Sequence, residues 1–171
     1  MLFPIIVPRS YFTHGSWPGP HRLLRHPELA VTWVELSGTT TMTYLTFERC
    51  RELESAGIAV HAQAMANLRA ASEQLYTHSK MDGDEVVFGV CMHEDGLGTS
   101  RLLLAQDIAD EFPEGVLCGI PERSCGILAP AGIAAEQRAD VEVMVQKCWD
   151  GGTTPMLPGL HAASLFELSE E

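Results

Sequence analysis

The residues best suited to chemistry gather in one short run, Pro121-Glu122-Arg123-Ser124-Cys125. Apolar stretches at residues 116–120 and 125–129 flank it, so the run reads as the tight turn of a β-hairpin. A tight turn holds an arginine fork in fixed geometry, which suits a carboxylate or a phosphate. Glu122 stands beside Arg123 and could neutralise it instead. The simpler reading is a structural hairpin whose arginine pairs with a helix carboxylate, and it is preferred, because structural ion pairs also populate such places.

The next candidates are thiols and imidazoles. Cys125 closes the turn, and Cys91 lies two residues before His93. A nucleophilic cysteine needs a base and a lowered pKa. Neither cysteine opens a helix, and burial is the common state of a free thiol. A hairpin closed by residues 121–124 would put Cys118 and Cys125 diagonally on one sheet face. Cys91-x-His93 would share one strand face, as half of a metal site, but no second half is evident. The histidines (His14, His21, His26, His61, His78, His93, His161) contain no HxxxH or HExxH spacing. The expectation is no metal, no cofactor and no assigned catalytic residue, with Arg123, Glu122, Ser124, His93 and Cys125 as the binding candidates.

Two further runs have simpler readings. Asp82-Gly83-Asp84-Glu85 lacks the glycine position and terminal glutamate of a calcium loop, and reads as a solvated turn. Gly96-Leu97-Gly98-Thr99-Ser100 precedes a helical pattern, as an anion-binding helix start would. It has no P-loop lysine, and Glu94 and Asp95 oppose a phosphate.

The elements that must position these groups follow from pattern. Residues 3–7 form an edge strand, where Pro4 and Pro8 are tolerated. Residues 11–26 are a packed, proline-rich loop. Residues 31–36 and 40–45 form a hairpin around Ser37-Gly38. A short helix runs from Phe47 to a stop at Gly57, with Phe47, Cys50 and Leu53 or Glu54 on one face. A second helix covers residues 60–75, with Ala64, Leu68, Ala71 and Leu75 at helical spacing. Residues 80–84 are a polar turn, residues 85–92 a strand and residues 93–98 a loop. Ser100 caps a helix with Leu104, Ile108 and Phe112 on one face. The hairpin around Arg123 comes next. A last helix spans residues 134–149, with Val141, Met144, Val145 and Cys148 as its stripe. This order lacks βαβ alternation. It predicts an α+β fold with a mainly antiparallel sheet and three to four helices packed on one face. One domain is expected over residues 1–171, with residues 1–27 packed on a core of residues 28–168.

Composition narrows the function classes. The 171 residues carry 46% hydrophobic and 20% charged side chains, which is ordinary globular usage. The five cysteines are widely spaced and form no CxxC. The N-terminal apolar stretch is cut by Pro4 and Pro8, so no signal peptide is expected, and a cytoplasmic protein with reduced thiols is. No run is long enough to span a bilayer. The formal net charge is −12. It is uneven: residues 86–171 hold 14 acids against 4 bases, and residues 1–85 hold 9 against 7. Such a field disfavours nucleic acid and favours a basic partner.

Between residues 44 and 166 four segments, in order, carry a family likeness: YLTFERCRELESAGI, AMANLRAAS, GTSRLLLAQDIADEF and GVLCGIPERSCGILAP. The tail TTPMLPGLHAASLF follows them. Together they resemble the YtpQ-like family of bacterial domains of unknown function. That family usually has an acidic residue after the arginine of its Pro-x-Arg turn, where this chain has Ser124. The resemblance implies a fold and no reaction. The expected function is therefore a non-enzymatic acidic interaction domain, of adaptor or immunity type, binding a basic protein partner. The alternative is a small-ligand binder or enzyme using Arg123 with His93, Cys91 or Cys125.

Overall fold

A computed structural model describes residues 1–13, 17–38 and 41–170. His14, Thr40 and Glu171, which the sequence reading included, lie outside the described residues. The fold is α+β, with two antiparallel sheets. The chain divides into two compact units, one made of Met1–Glu73 with the residues from Leu168 on, the other of Gln74–Glu167. Residues 44–166 contribute to both units. Among the described residues, no helix is long and apolar enough to cross a membrane.

The first unit opens with β1 (Leu2–Pro8), α1 (Ser10–Thr13), β2 (His21–Leu23), β3 (Leu29–Ser37) and β4 (Thr41–Tyr44). The edge strand and the hairpin form as expected: β1 pairs with β3 from Leu2↔Glu35 to Pro8↔Leu29. Pro4 and Pro8 are tolerated because the far side of β1 carries no strand. The other side of β3 is shared by β2, opposite residues 30–32, and β4, opposite residues 34–37. The stretch of residues 11–26 was expected to be all loop; β2 corrects that. Only three residues pair there, too few to show a period.

Helices α2 (Phe47–Ser55) and α3 (Val60–Ala70) complete the unit. Thr46 caps α2, its hydroxyl oxygen accepting the Arg49 amide at 3.1 Å. Gly57 follows at φ +80°, in the left-handed region that favours glycine. Cys50, Val60 and Ala64 pack with Leu2, Trp33 and Leu45. Asn67 ties α3 to the sheet edge by donating to the Leu2 carbonyl at 2.8 Å. The helix stops at Ala70, short of the expected residue 75, and Ala71 is exposed. Phe47, expected on the buried face of α2, is 56% exposed because it opens the first turn, beyond the reach of that core.

The second unit contains β5 (His78–Asp82), β6 (Glu85–Cys91), a 3-10 segment (Thr99–Glu111), β7 (Val116–Glu122), β8 (Cys125–Pro130), α3's successor α4 (Ala135–Gly151), β9 (Leu160–Ala162) and a 3-10 turn (Ala163–Phe166). The strand order is β5-β6-β8-β7-β9. Strand β5 was not expected. Every residue in it is exposed, so it lacks the alternation that marks a half-buried strand. The helix expected from Ser100 is a 3-10 run instead, and the expected placement of all helices on one sheet face also fails. Gly126 approaches Leu102 of the 3-10 segment, whereas Cys125 and Ile127 pack with Val141 and Val145 of α4. Alternate residues of β8 therefore face different layers, and this sheet is covered on both sides.

Candidate functional site

The Arg123 turn is a two-residue link, with Glu122 opposite Cys125 across the β7–β8 hairpin. Glu122 does not neutralise Arg123 so much as build the turn. One carboxylate oxygen accepts the Ser124 amide at 2.8 Å and the Ser124 hydroxyl at 2.6 Å; the other accepts the Thr154 hydroxyl at 2.6 Å. Burial opposes ionisation of Glu122, but these hydrogen bonds outweigh it and hold its pKa below the ordinary range. The Arg123 backbone is clamped too: its amide donates to the Thr154 carbonyl at 3.1 Å, and its carbonyl accepts the Thr99 hydroxyl at 2.9 Å. The Arg123 side chain is half-buried.

The thiols do not join this turn as a reactive group. Cys118 pairs with Leu128, and Cys91 with Gly126, so both share the face that the 3-10 segment covers. Cys125 points to the α4 face. The expected diagonal pair Cys118–Cys125 is therefore split between faces, because a bulge between Gly119 and Glu122 shifts the register. Burial pushes Cys91 up to about 12 and Cys125 up to about 11, and raises Cys118 further still. A thiol so shifted is protonated at neutral pH and is a poor nucleophile.

His93 lies in the loop after β6, not on the strand, so Cys91-x-His93 shares no strand face. Its Nε2 meets the Gln74 carbonyl at 2.9 Å. Among the described residues, no group of three histidine, cysteine or acidic side chains is placed to hold a metal ion.

The loop that bears His93 contains a relationship the sequence reading missed. Asp95, taken there as a charge opposing phosphate, forms a two-pronged ion pair with Arg101. Asp95 Oδ1 also accepts the Leu97 amide at 2.9 Å. The signal for it was an arginine inside the apolar run Ser100-Arg101-Leu102-Leu103-Leu104, where a cation needs a buried partner. The following Gly98 lies so close to the chain that a Cβ there would collide with the carbonyl oxygens of Cys91 and Ser124. The anion-type glycine run is thus packed against the hairpin.

A cleft of about 630 Å³ opens elsewhere in the second unit. Five carboxylates line it: Asp82, Asp84 and Glu85 from the β5–β6 hairpin, and Glu111 and Glu114 around the end of the 3-10 segment. Val87, Phe112 and Ile133 give it apolar surface, and no lysine or arginine lines it. Gly83, at φ +60°, turns the β5–β6 hairpin so that Asp82 and Glu85 pair. Gln137 on the first turn of α4 donates to Asp82 Oδ2 at 2.8 Å, joining the cleft's two walls. The acidic run expected to be only a solvated turn is that, and it also forms one wall of this cleft. None of Arg123, Ser124, His93, Cys91 or Cys125 lines it.

Comparison with known proteins adds no relative: no family model, no curated protein and no solved structure matches the chain.

Proposed function

We propose that the protein is a non-enzymatic binding protein of adaptor or immunity type, which takes a basic segment of a partner protein into the acidic cleft of its second unit. The carrying observation is the lining itself, five carboxylates around an apolar floor without a balancing cation. Low-dielectric walls focus the field of such a cleft and raise the local concentration of cations. Lysine and arginine side chains fit it doubly, since their methylene stems cover apolar surface while their heads meet carboxylates. The acid excess of residues 86–171 speeds the encounter in the same sense. A cytoplasmic setting and kinship with the YtpQ-like domains belong to the same proposal; the first accords with free cysteines throughout.

The test is a titration by calorimetry with a short peptide of alternating lysine and leucine, at low and at physiological salt. Binding should weaken steeply with salt, and Glu111→Gln with Glu114→Gln should weaken it at least about tenfold. A glutamate–leucine peptide should not bind. Equal binding by the double variant, or none at low salt, would end the proposal.

A further inference from the structure

Strand β5 is the outermost strand of the second unit's sheet, and every residue in it is exposed. An edge strand presents unpaired N–H and C=O groups, and several other edges of this protein are shielded. Strand β1 is outermost in its own sheet, but its residues from Leu2 to Val7 are buried and Asn67 of α3 donates to its Leu2 carbonyl. The chain's tail closes the outer side of β2, where the Ser169 amide donates to the Leu23 carbonyl at 2.9 Å. Strand β9, at the other end of the sheet of β5, is only Leu160–Ala162. Strand β5 has no such cover and no proline. Its one irregularity belongs to β6, which fits Val87 between the partners of Lys80 and Met81. A lysine on an edge discourages pairing. Here Asp82, two residues on and so on the same face, carries the counter-charge. Lys80 makes no ion pair among the described residues, and Gln137 engages only Oδ2 of Asp82. Between them Met81 is 47% exposed.

We infer that β5 is a docking edge for β5 of a second copy of this chain, paired antiparallel about a two-fold axis at Met81. The run Lys80-Met81-Asp82 is its own complement under that operation. Lys80 of each copy stands opposite Asp82 of the other, and the two Met81 side chains meet. Opposite charges and apolar groups directly across two strands are the pairs that stabilise a sheet. The same patch serves on both copies, so the contact closes as a dimer and does not propagate. Five residues a side is far below the roughly 20–30 a side of a stable interface, so the dimer is weak and reversible. Two copies of net charge −12 also repel, and physiological salt screens that repulsion beyond about 8 Å while sparing the close pairs.

The test is sedimentation equilibrium of the full chain at physiological salt, with a reductant to keep the exposed Cys148 from cross-linking copies. A monomer–dimer equilibrium should appear with a Kd between about 10 µM and 1 mM. Lys80→Glu sets two pairs of like charge across the strands, and so does Asp82→Lys; each alone should weaken association at least about fivefold. Mixed in equal amounts, the two variants face each other with opposite charges and should associate about as tightly as the native chain. Both positions are exposed, so the fold should tolerate the changes, and an unaltered circular dichroism spectrum checks that it does. A chain that stays monomeric at about 1 mM, association indifferent to either substitution, or a mixture no tighter than its components each overturns the inference.

Discussion

Arg101 closes on Asp95 through two parallel hydrogen bonds, Nη1 to Oδ1 at 3.0 Å and Nη2 to Oδ2 at 2.7 Å. The guanidinium is 1% exposed and the carboxylate 26%. The pair joins the loop after β6 to the start of the 3-10 segment, and so sets the layer that covers Cys91 and Cys118. Replacing one partner leaves the other charge without its main counter-charge. Asp95→Ala should therefore cost about 3 kcal/mol in urea unfolding, at the lower end for buried pairs because a quarter of Asp95 meets water. Asp95→Leu combined with Arg101→Leu should cost less than Asp95→Ala alone.

The same pair sets an acid limit. Burial opposes ionisation of Asp95, but the hydrogen bonds from Arg101 and Leu97 and the Arg101 charge outweigh it, so its folded-state pKa is lowered. A lowered carboxylate contributes stability above its unfolded pKa of about 3.9 and loses it as pH falls toward the folded value. Melting temperature should drop below about pH 4 in the native protein, and Asp95→Asn should flatten that part of the profile.

His61 works at higher pH. Burial first, then the charges of Arg22 and Arg69, lower its folded-state pKa. The unfolded chain binds the proton more readily, so this contribution is complete above about pH 6.5 and is lost as pH falls through that value. Unfolding midpoints should decline between about pH 7 and pH 5, and His61→Gln should remove the decline. An unchanged slope in His61→Gln would refute the assignment.

Thiol reactivity should separate one cysteine from four. Cys148 is exposed, whereas Cys50, Cys91, Cys118 and Cys125 are buried with raised pKa values. Native protein at pH 8 should release one equivalent of thionitrobenzoate quickly with Ellman's reagent, and Cys148→Ser should abolish that phase. The remaining thiols should react only in denaturant. Rapid native labelling of Cys91 or Cys125 would revive a nucleophile at the hairpin.

Glycines should divide by cause. Gly98→Ala sets a methyl against two backbone carbonyls that cannot step aside, and should cost at least about 2 kcal/mol. Gly57→Ala meets no neighbour and bears only the strain of φ +80°, about 1 kcal/mol.

Local physics made much of this chain legible from its residues. The hairpin around Ser37-Gly38, the start of α2 at Phe47, the stop at Gly57 and the Val141–Val145 stripe of α4 each depend on neighbours within one turn. The charge imbalance was equally plain, because charge is a sum and needs no geometry. Tertiary structure alone decided the rest. Strand β5 exists because β6 offers it an edge, not because its exposed residues demand a strand. The bulge after Gly119 put Cys118 and Cys125 on opposite faces, and a register is a property of two strands together. The residues of the acidic cleft come from segments some 50 positions apart, and those around Trp33 from two strands and two helices. Such meetings depend on how chain segments pack, which no periodicity within a single segment records.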